Sequence, residues 1–138
     1  GVIGCGRIGI VHLGAINKAP GVVPIVVSNP TISKAEDAAK KFGVPKFTSD
    51  AMEVITDPEV DAVWICSPSQ FHADQIKACA ANGKHVFCEK PFTATKREAE
   101  VAVAAVGMVI SVTILWRFKH DVERLFPCPL SHKESERT

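Results

Sequence analysis

Tyrosine is absent from this 138-residue chain, and aromatic residues make up only 7% of it. A core has to come from Val, Ile and Ala instead. Neither charge sign is in excess: 16 Lys and Arg face 15 Asp and Glu, a formal net charge of +1. That balance removes the electrostatic case for nucleic acid or an anionic membrane as partner. Paired cysteines are missing too. The five are Cys5, Cys66, Cys79, Cys88 and Cys128, and no CxxC pair occurs. An odd, scattered set argues against a disulfide framework and against a metal site. It points to buried thiols in a reducing, cytoplasmic compartment. No basic stretch leads into an apolar run near the start, so a secretory signal is not expected. The longest uncharged run, residues 101–116, falls short of a membrane span, and Gly107 divides it.

What is present is ordinary globular material. Apolar residues are 46% of the chain, and the length suits about one domain. Short β-branched runs alternate with longer helical segments. Val2-Ile3 opens as a strand. Ile8, Val11 and Ala15 then recur on one helical face, ending before Pro20-Gly21. A second strand is expected over 25–28. Ser33 and Glu36 have the spacing of a capping box, opening a helix that turns Ala35, Ala38, Ala39 and Phe42 inward and stops at Gly43. A third strand is expected over 46–48, and Asp50 caps a brief helix through Ile55.

The same alternation continues. A fourth strand is expected over 62–66 and a helix over about 70–82, with His72, Ile76, Cys79 and Ala80 on one face. Gly83 is placed to end that helix in a left-handed conformation. A fifth strand covers 85–88. Thr95 and Glu98 make a second capping box for a helix to Val106, and a sixth strand is expected over 108–116. Strand-helix alternation means parallel strands with crossover helices, buried on both faces. The right-handed crossover then predicts an α/β fold, a doubly wound parallel sheet of Rossmann type. Residues 1–118 form that domain. Residues 119–138 are dense in charge, contain Pro127 and Pro129, and read as a disordered tail.

Gly4-Cys5-Gly6-Arg7-Ile8-Gly9 matches G-x-G-x-x-G between a strand and a helix, the context that gives the pattern meaning. Gly4 permits the tight turn. Gly6 lets main chain approach a diphosphate, and Gly9 lets the helix press on the strand. Free N–H groups and the positive helix end then face two phosphate charges. Twenty residues past Gly9 stands Asn29, where a carboxylate often holds the adenosine ribose. Asn29 can accept a hydrogen bond but does not repel a 2′-phosphate, so NAD is favoured and NADP stays open. Two more loops follow strand ends on the same side: Ser67-Pro68-Ser69-Gln70-Phe71-His72, and Glu89-Lys90-Pro91. Lys90 is the candidate for proton handling or substrate orientation; partial burial there would ease loss of its proton. His12, inside the first helix, reads as structural.

These motifs together, GCGRIG-x-x-H over 4–12, CSP-x-x-x-H over 66–72 and Glu89-Lys90-Pro91, resemble the Gfo/Idh/MocA oxidoreductases, in particular the inositol 2-dehydrogenase-like members. The resemblance runs over about residues 1–92 and more weakly to Phe118. Trp116-Arg117-Phe118 stands where the family commonly has Arg-Arg-Phe, and Lys119-His120 where Asp-Pro is usual. It implies an N-terminal NAD(P)-binding Rossmann domain, a C-terminal α/β domain, and hydride transfer between a nicotinamide and a polyol or sugar such as myo-inositol. It implies that Lys90 lies near nicotinamide and substrate. Gly4, Gly6, Arg7, Ile8, Gly9, Asn29, Ser67, Pro68, His72, Glu89 and Lys90 would line the cofactor side. The family's remaining catalytic Asp and His belong to the second domain, which this chain does not reach. The expectation is a truncated enzyme that binds dinucleotide. Substrate would then need a second domain to be supplied, and self-association stays open. The alternative is a non-catalytic dinucleotide-binding module or a non-functional gene fragment.

Overall fold

The computed structural model describes residues 1–93, 95–106 and 110–112. Six parallel strands form one sheet: β1 (Val2–Ile3), β2 (Val26–Ser28), β3 (Lys46–Thr48), β4 (Ala62–Ile65), β5 (His85–Cys88) and β6 (Ile110–Val112), in the order β3-β2-β1-β4-β5-β6. Five helices connect them: α1 (Arg7–Ile16), α2 (Ile32–Phe42), α3 (Ala51–Thr56), α4 (His72–Ala81) and α5 (Lys96–Val106). β1 is central, pairing Val2 with Val27 and Trp64, and Ile3 with Ser28 and Ile65. The chain winds outward from β1 to β3, then crosses back to β4. The order therefore reverses between β1 and β4, where open α/β sheets bind ligands beyond the strand carboxyl ends. The rest of the expected sixth strand, the Trp116-Arg117-Phe118 motif, Cys128, the boundary at 118 and the tail 119–138 lie outside the described residues.

Two apolar layers hold the sheet. Leu13 and Ile16 of α1 and Ala35, Ala38 and Ala39 of α2 pack on Val2 and Val27. On the other face Val54, Ile55, Ile76, Cys79 and Ala102 pack on Ile3, Val63, Ile65 and Val86. Each fully buried Leu, Ile or Val contributes about 1.5–3 kcal/mol. Asp50 accepts from the Met52 N–H at 2.8 Å and starts α3. Gly83 has φ +67°, the left-handed turn expected after α4. Thr95 and Glu98 form the reciprocal box at α5: the Thr95 N–H donates to Glu98 Oε2 at 3.0 Å, and the Glu98 N–H to Thr95 Oγ1 at 3.3 Å. Among the described residues no helix is long and apolar enough to cross a membrane.

Three expectations need correction. The buried face of α1 is Gly9, Leu13 and Ile16, whereas Ile8 and Val11 are 46% and 63% exposed. The period is right, but the phase is off by one residue, about 100° around the helix. Gly9 sets the phase, because it is the residue that touches the strand. Ser33 and Glu36 form no capping box: α2 starts earlier, after an extended Thr31. Asn29 donates to the Thr31 carbonyl at 3.2 Å and shapes that entry, and Glu36 pairs with Lys40 instead, at 2.7 Å. Lastly, β4 is not uniformly buried. Val63 and Ile65 are sealed under α3 and α4, but Ala62 and Trp64 are half-buried. Trp64 stacks on Phe87 with ring centroids 5.3 Å apart, and the His12 ring of α1 meets Phe87 from the helix side.

Candidate cofactor-binding site

The glycine turn sits at the reversal point. Gly4 has φ +97° and donates its N–H to the Ser28 carbonyl at 2.8 Å. A Cβ on Gly4 would lie 2.7 Å from the Cys66 carbonyl, and one on Gly9 only 1.8 Å from the Gly4 carbonyl. Both positions need glycine because backbone meets backbone. Gly6 differs: a Cβ there would meet nothing within 4 Å. The space above Gly6 is open at the start of α1. The first turn of α1 has no side-chain cap and no acidic residue. Its N–H groups and the positive helix end are thus presented outward, and Arg7 is exposed beside them. These features fit a diphosphate.

The neighbouring strand ends extend the site on both sides. On the β2 side, Asn29 Oδ1 accepts the Cys5 N–H at 3.1 Å. Asn29 thereby braces the turn, and it keeps one amide hydrogen and a carbonyl lone pair for a ribose hydroxyl. On the β4 side, Ser67 Oγ donates to Gln75 Oε1 at 2.6 Å, and Pro68 enters a 3-10 turn over Ser69–Phe71 that leads into α4. That short turn takes the first residues of the helix expected from about residue 70. Beyond β5 come Glu89 and Lys90, with the Lys90–Pro91 peptide in the cis form. Asn29 and Lys90 end strands three apart in the sheet, about 14 Å by strand spacing.

Two histidines tie this edge together. His12, expected to be merely structural, reaches from α1 to Glu89: Nε2 lies 2.5 Å from Oε1. Its ring meets the edge of Phe87 at 5.2 Å. The other Glu89 oxygen accepts the Lys90 N–H at 2.9 Å. Partial burial of the Glu89 carboxyl works against ionisation, but these two bonds outweigh it and hold the group below the usual carboxylate range. Only contact between residues 77 apart could reveal this pair, so sequence pattern carried no signal for it. His72 is expected on the cofactor side, yet it is buried at 1% exposure behind the two loops. Lys90 is exposed rather than partly buried. Burial pushes the Cys5 thiol up to about 11 and the Cys66, Cys79 and Cys88 thiols up to about 12. All four are free, and none is a nucleophile at neutral pH.

The GFO_IDH_MocA family model, described as an oxidoreductase family with an NAD-binding Rossmann fold, matches residues 1–108. The chain belongs to the Gfo/Idh/MocA oxidoreductase family. It is 36% identical over 121 residues to the scyllo-inositol 2-dehydrogenase (NAD(+)) of Bacillus subtilis, a match over 85% of this chain and 35% of that protein. It is 40% identical over 93 residues to the myo-inositol 2-dehydrogenase of Thermotoga maritima, over 67% of this chain and 28% of that protein. The scyllo-inositol dehydrogenase of Lactobacillus casei, solved with bound NAD(H) and scyllo-inositol, superposes with TM-score 0.74 at 26% identity, over 90% of this chain and 38% of that one. The chain spans about a third of the length of the curated relatives it matches. The Gfo/Idh/MocA chain in hand corresponds to the NAD-binding Rossmann part of these enzymes.

Proposed function

We propose that this chain binds NAD along the edge from Asn29 to Lys90 and forms the cofactor half of a dehydrogenase acting on a polyol or sugar such as myo-inositol. One observation carries the reading: Gly6 leaves open space over an uncapped first helical turn, beside two glycines that admit no Cβ. Gly4, Gly6 and Gly9, with the N–H groups of Arg7 and Ile8, hold the diphosphate. Asn29 takes the adenosine ribose. Ser67, Pro68, Glu89 and Lys90 face the nicotinamide end. When bound, the nicotinamide supplies the hydride chemistry.

This chain's own residues orient and handle protons. Lys90 holds the reacting hydroxyl or takes its proton. Glu89, ionised and braced by His12, fixes the Lys90 main chain. Hydride transfer needs reacting carbons within about 3–3.5 Å and a site closed to water. Lys90 is open to solvent here, which supports a substrate site completed by a second domain. NAD is favoured over NADP, and the four free thiols fit a reducing cytoplasm.

Calorimetric titration with NAD and NADP tests the cofactor site, and absorbance of reduced cofactor with myo-inositol tests turnover. Saturable NAD binding is expected, with little turnover from this chain alone. Absence of binding to folded protein overturns the reading. Robust turnover overturns the need for a second domain, whereas binding with no turnover even when that domain is supplied supports a non-catalytic dinucleotide module.

A further inference from the structure

The buried ring of His72 has partners that plain packing would not require. Nε2 lies 2.7 Å from the Ser67 carbonyl, and Nδ1 lies 3.1 Å from both the Pro91 and Phe92 carbonyls. All three are backbone carbonyls, which accept and never donate. A neutral ring carries one hydrogen, so it donates to one loop at a time while its other nitrogen lies against the carbonyl of the second. Ser67 opens the loop after β4, and Pro91 and Phe92 follow Lys90 in the loop after β5. The same segment is gripped from the opposite side, where Glu89 binds His12 and the Lys90 N–H.

We infer that His72 is a positioning residue: with one ring nitrogen at the Ser67 carbonyl and the other at those of Pro91 and Phe92, it clasps the two loops together and so sets where Lys90 stands at the nicotinamide end. The effect passes through the main chain of two loops, not through the Lys90 ammonium. Burial of so polar a ring is otherwise costly, and an apolar residue would fill the space while removing the ring's hydrogen bond. The inference rests on the proposed NAD site, and its test separates the two.

The 138-residue chain, labelled with 15N in its histidines, is first read by NMR. A hydrogen-bonded His72 ring N–H that exchanges slowly with water is expected, and one that exchanges as fast as a free imidazole's overturns the clasp. NADH and ADP-ribose are then titrated into the native chain, His72→Ala and His72→Gln. ADP-ribose lacks the nicotinamide end, so His72→Ala should weaken NADH about fivefold or more while ADP-ribose stays within about twofold. His72→Gln, which keeps amide hydrogens, should recover part of the loss. Equal losses for both ligands, or none, overturn the positioning role. If His72→Ala fails to fold, His72→Gln carries the comparison. If the native chain binds neither ligand, the NAD reading falls and the ring spectrum alone decides the clasp.

Discussion

Replacing Gly6 with Ala separates binding from folding. An added Cβ meets no protein atom within 4 Å, and the backbone there (φ −75°, ψ −176°) is open to any residue. Ala caps a helix less well than Gly, but it also lowers the entropy of the unfolded chain by about 0.4–1 kcal/mol. Stability should therefore change by less than about 1 kcal/mol. The new methyl occupies the approach to the first-turn N–H groups. Losing one hydrogen bond to a charged group costs about 1.5–3 kcal/mol, or roughly ten- to a hundredfold in Kd for NAD. Gly9→Ala makes the contrast. Its Cβ would lie 1.8 Å from the Gly4 carbonyl, so α1 must back away from β1. Overpacking of this kind costs about 1–3 kcal/mol or more, and stability falls together with affinity. Chemical denaturation and calorimetry on the two variants read both quantities. If Gly6→Ala binds NAD as the native chain does, or loses as much stability as Gly9→Ala, the reasoning about the open space is wrong.

Lys90→Met should leave NAD affinity within about twofold but abolish polyol oxidation once the second domain is present; calorimetry and reduced-cofactor absorbance check the two halves. Thr95→Ala removes one side of the α5 capping box and should cost about 1 kcal/mol in urea unfolding. In a Cys128→Ser background, a thiol reagent at pH 8 should label the four remaining cysteines slowly in the folded chain and fast in denaturant, because burial keeps them protonated. The same shift sets a pH dependence. The folded thiols hold their protons to higher pH than the unfolded ones, so their contribution is whole below about pH 9 and is lost as pH climbs toward 11 to 12. Denaturation midpoints should stay level between about pH 7 and pH 8 and fall as pH rises from about 9 to 11.

The strand-helix alternation, the glycine turn and the loop of Glu89 and Lys90 were legible because each is written in neighbouring residues. A βαβ unit is local in sequence, and so is the reason for its glycines. Phase and long-range pairing are not local. The inward face of α1 depended on which glycine touches β1, and the apolar pattern of Ile8, Val11 and Ala15 pointed to solvent instead. Ser33 and Glu36 had capping-box spacing, but Asn29 and Thr31 fixed an earlier helix start. His72 shared the apolar face of its helix with Ile76 and Cys79, and it is buried with them; its contacts to two loops were not written in that pattern. The bond from His12 to Glu89 joins the first helix to the fifth strand's end, and no periodicity announces it.

Gly9 rides directly on the Gly4 carbonyl, with no side chain between helix and strand. Such an edge owns no rotamers at its centre, so an arriving anion freezes none. The entropic cost of complex formation falls mainly on the visitor's own torsions, with Arg7 and Lys90 the long side chains left to settle at the margins. A stiffened dinucleotide analogue, locked in an extended shape that spans the edge, should therefore gain nearly the full benefit of its rigidity here.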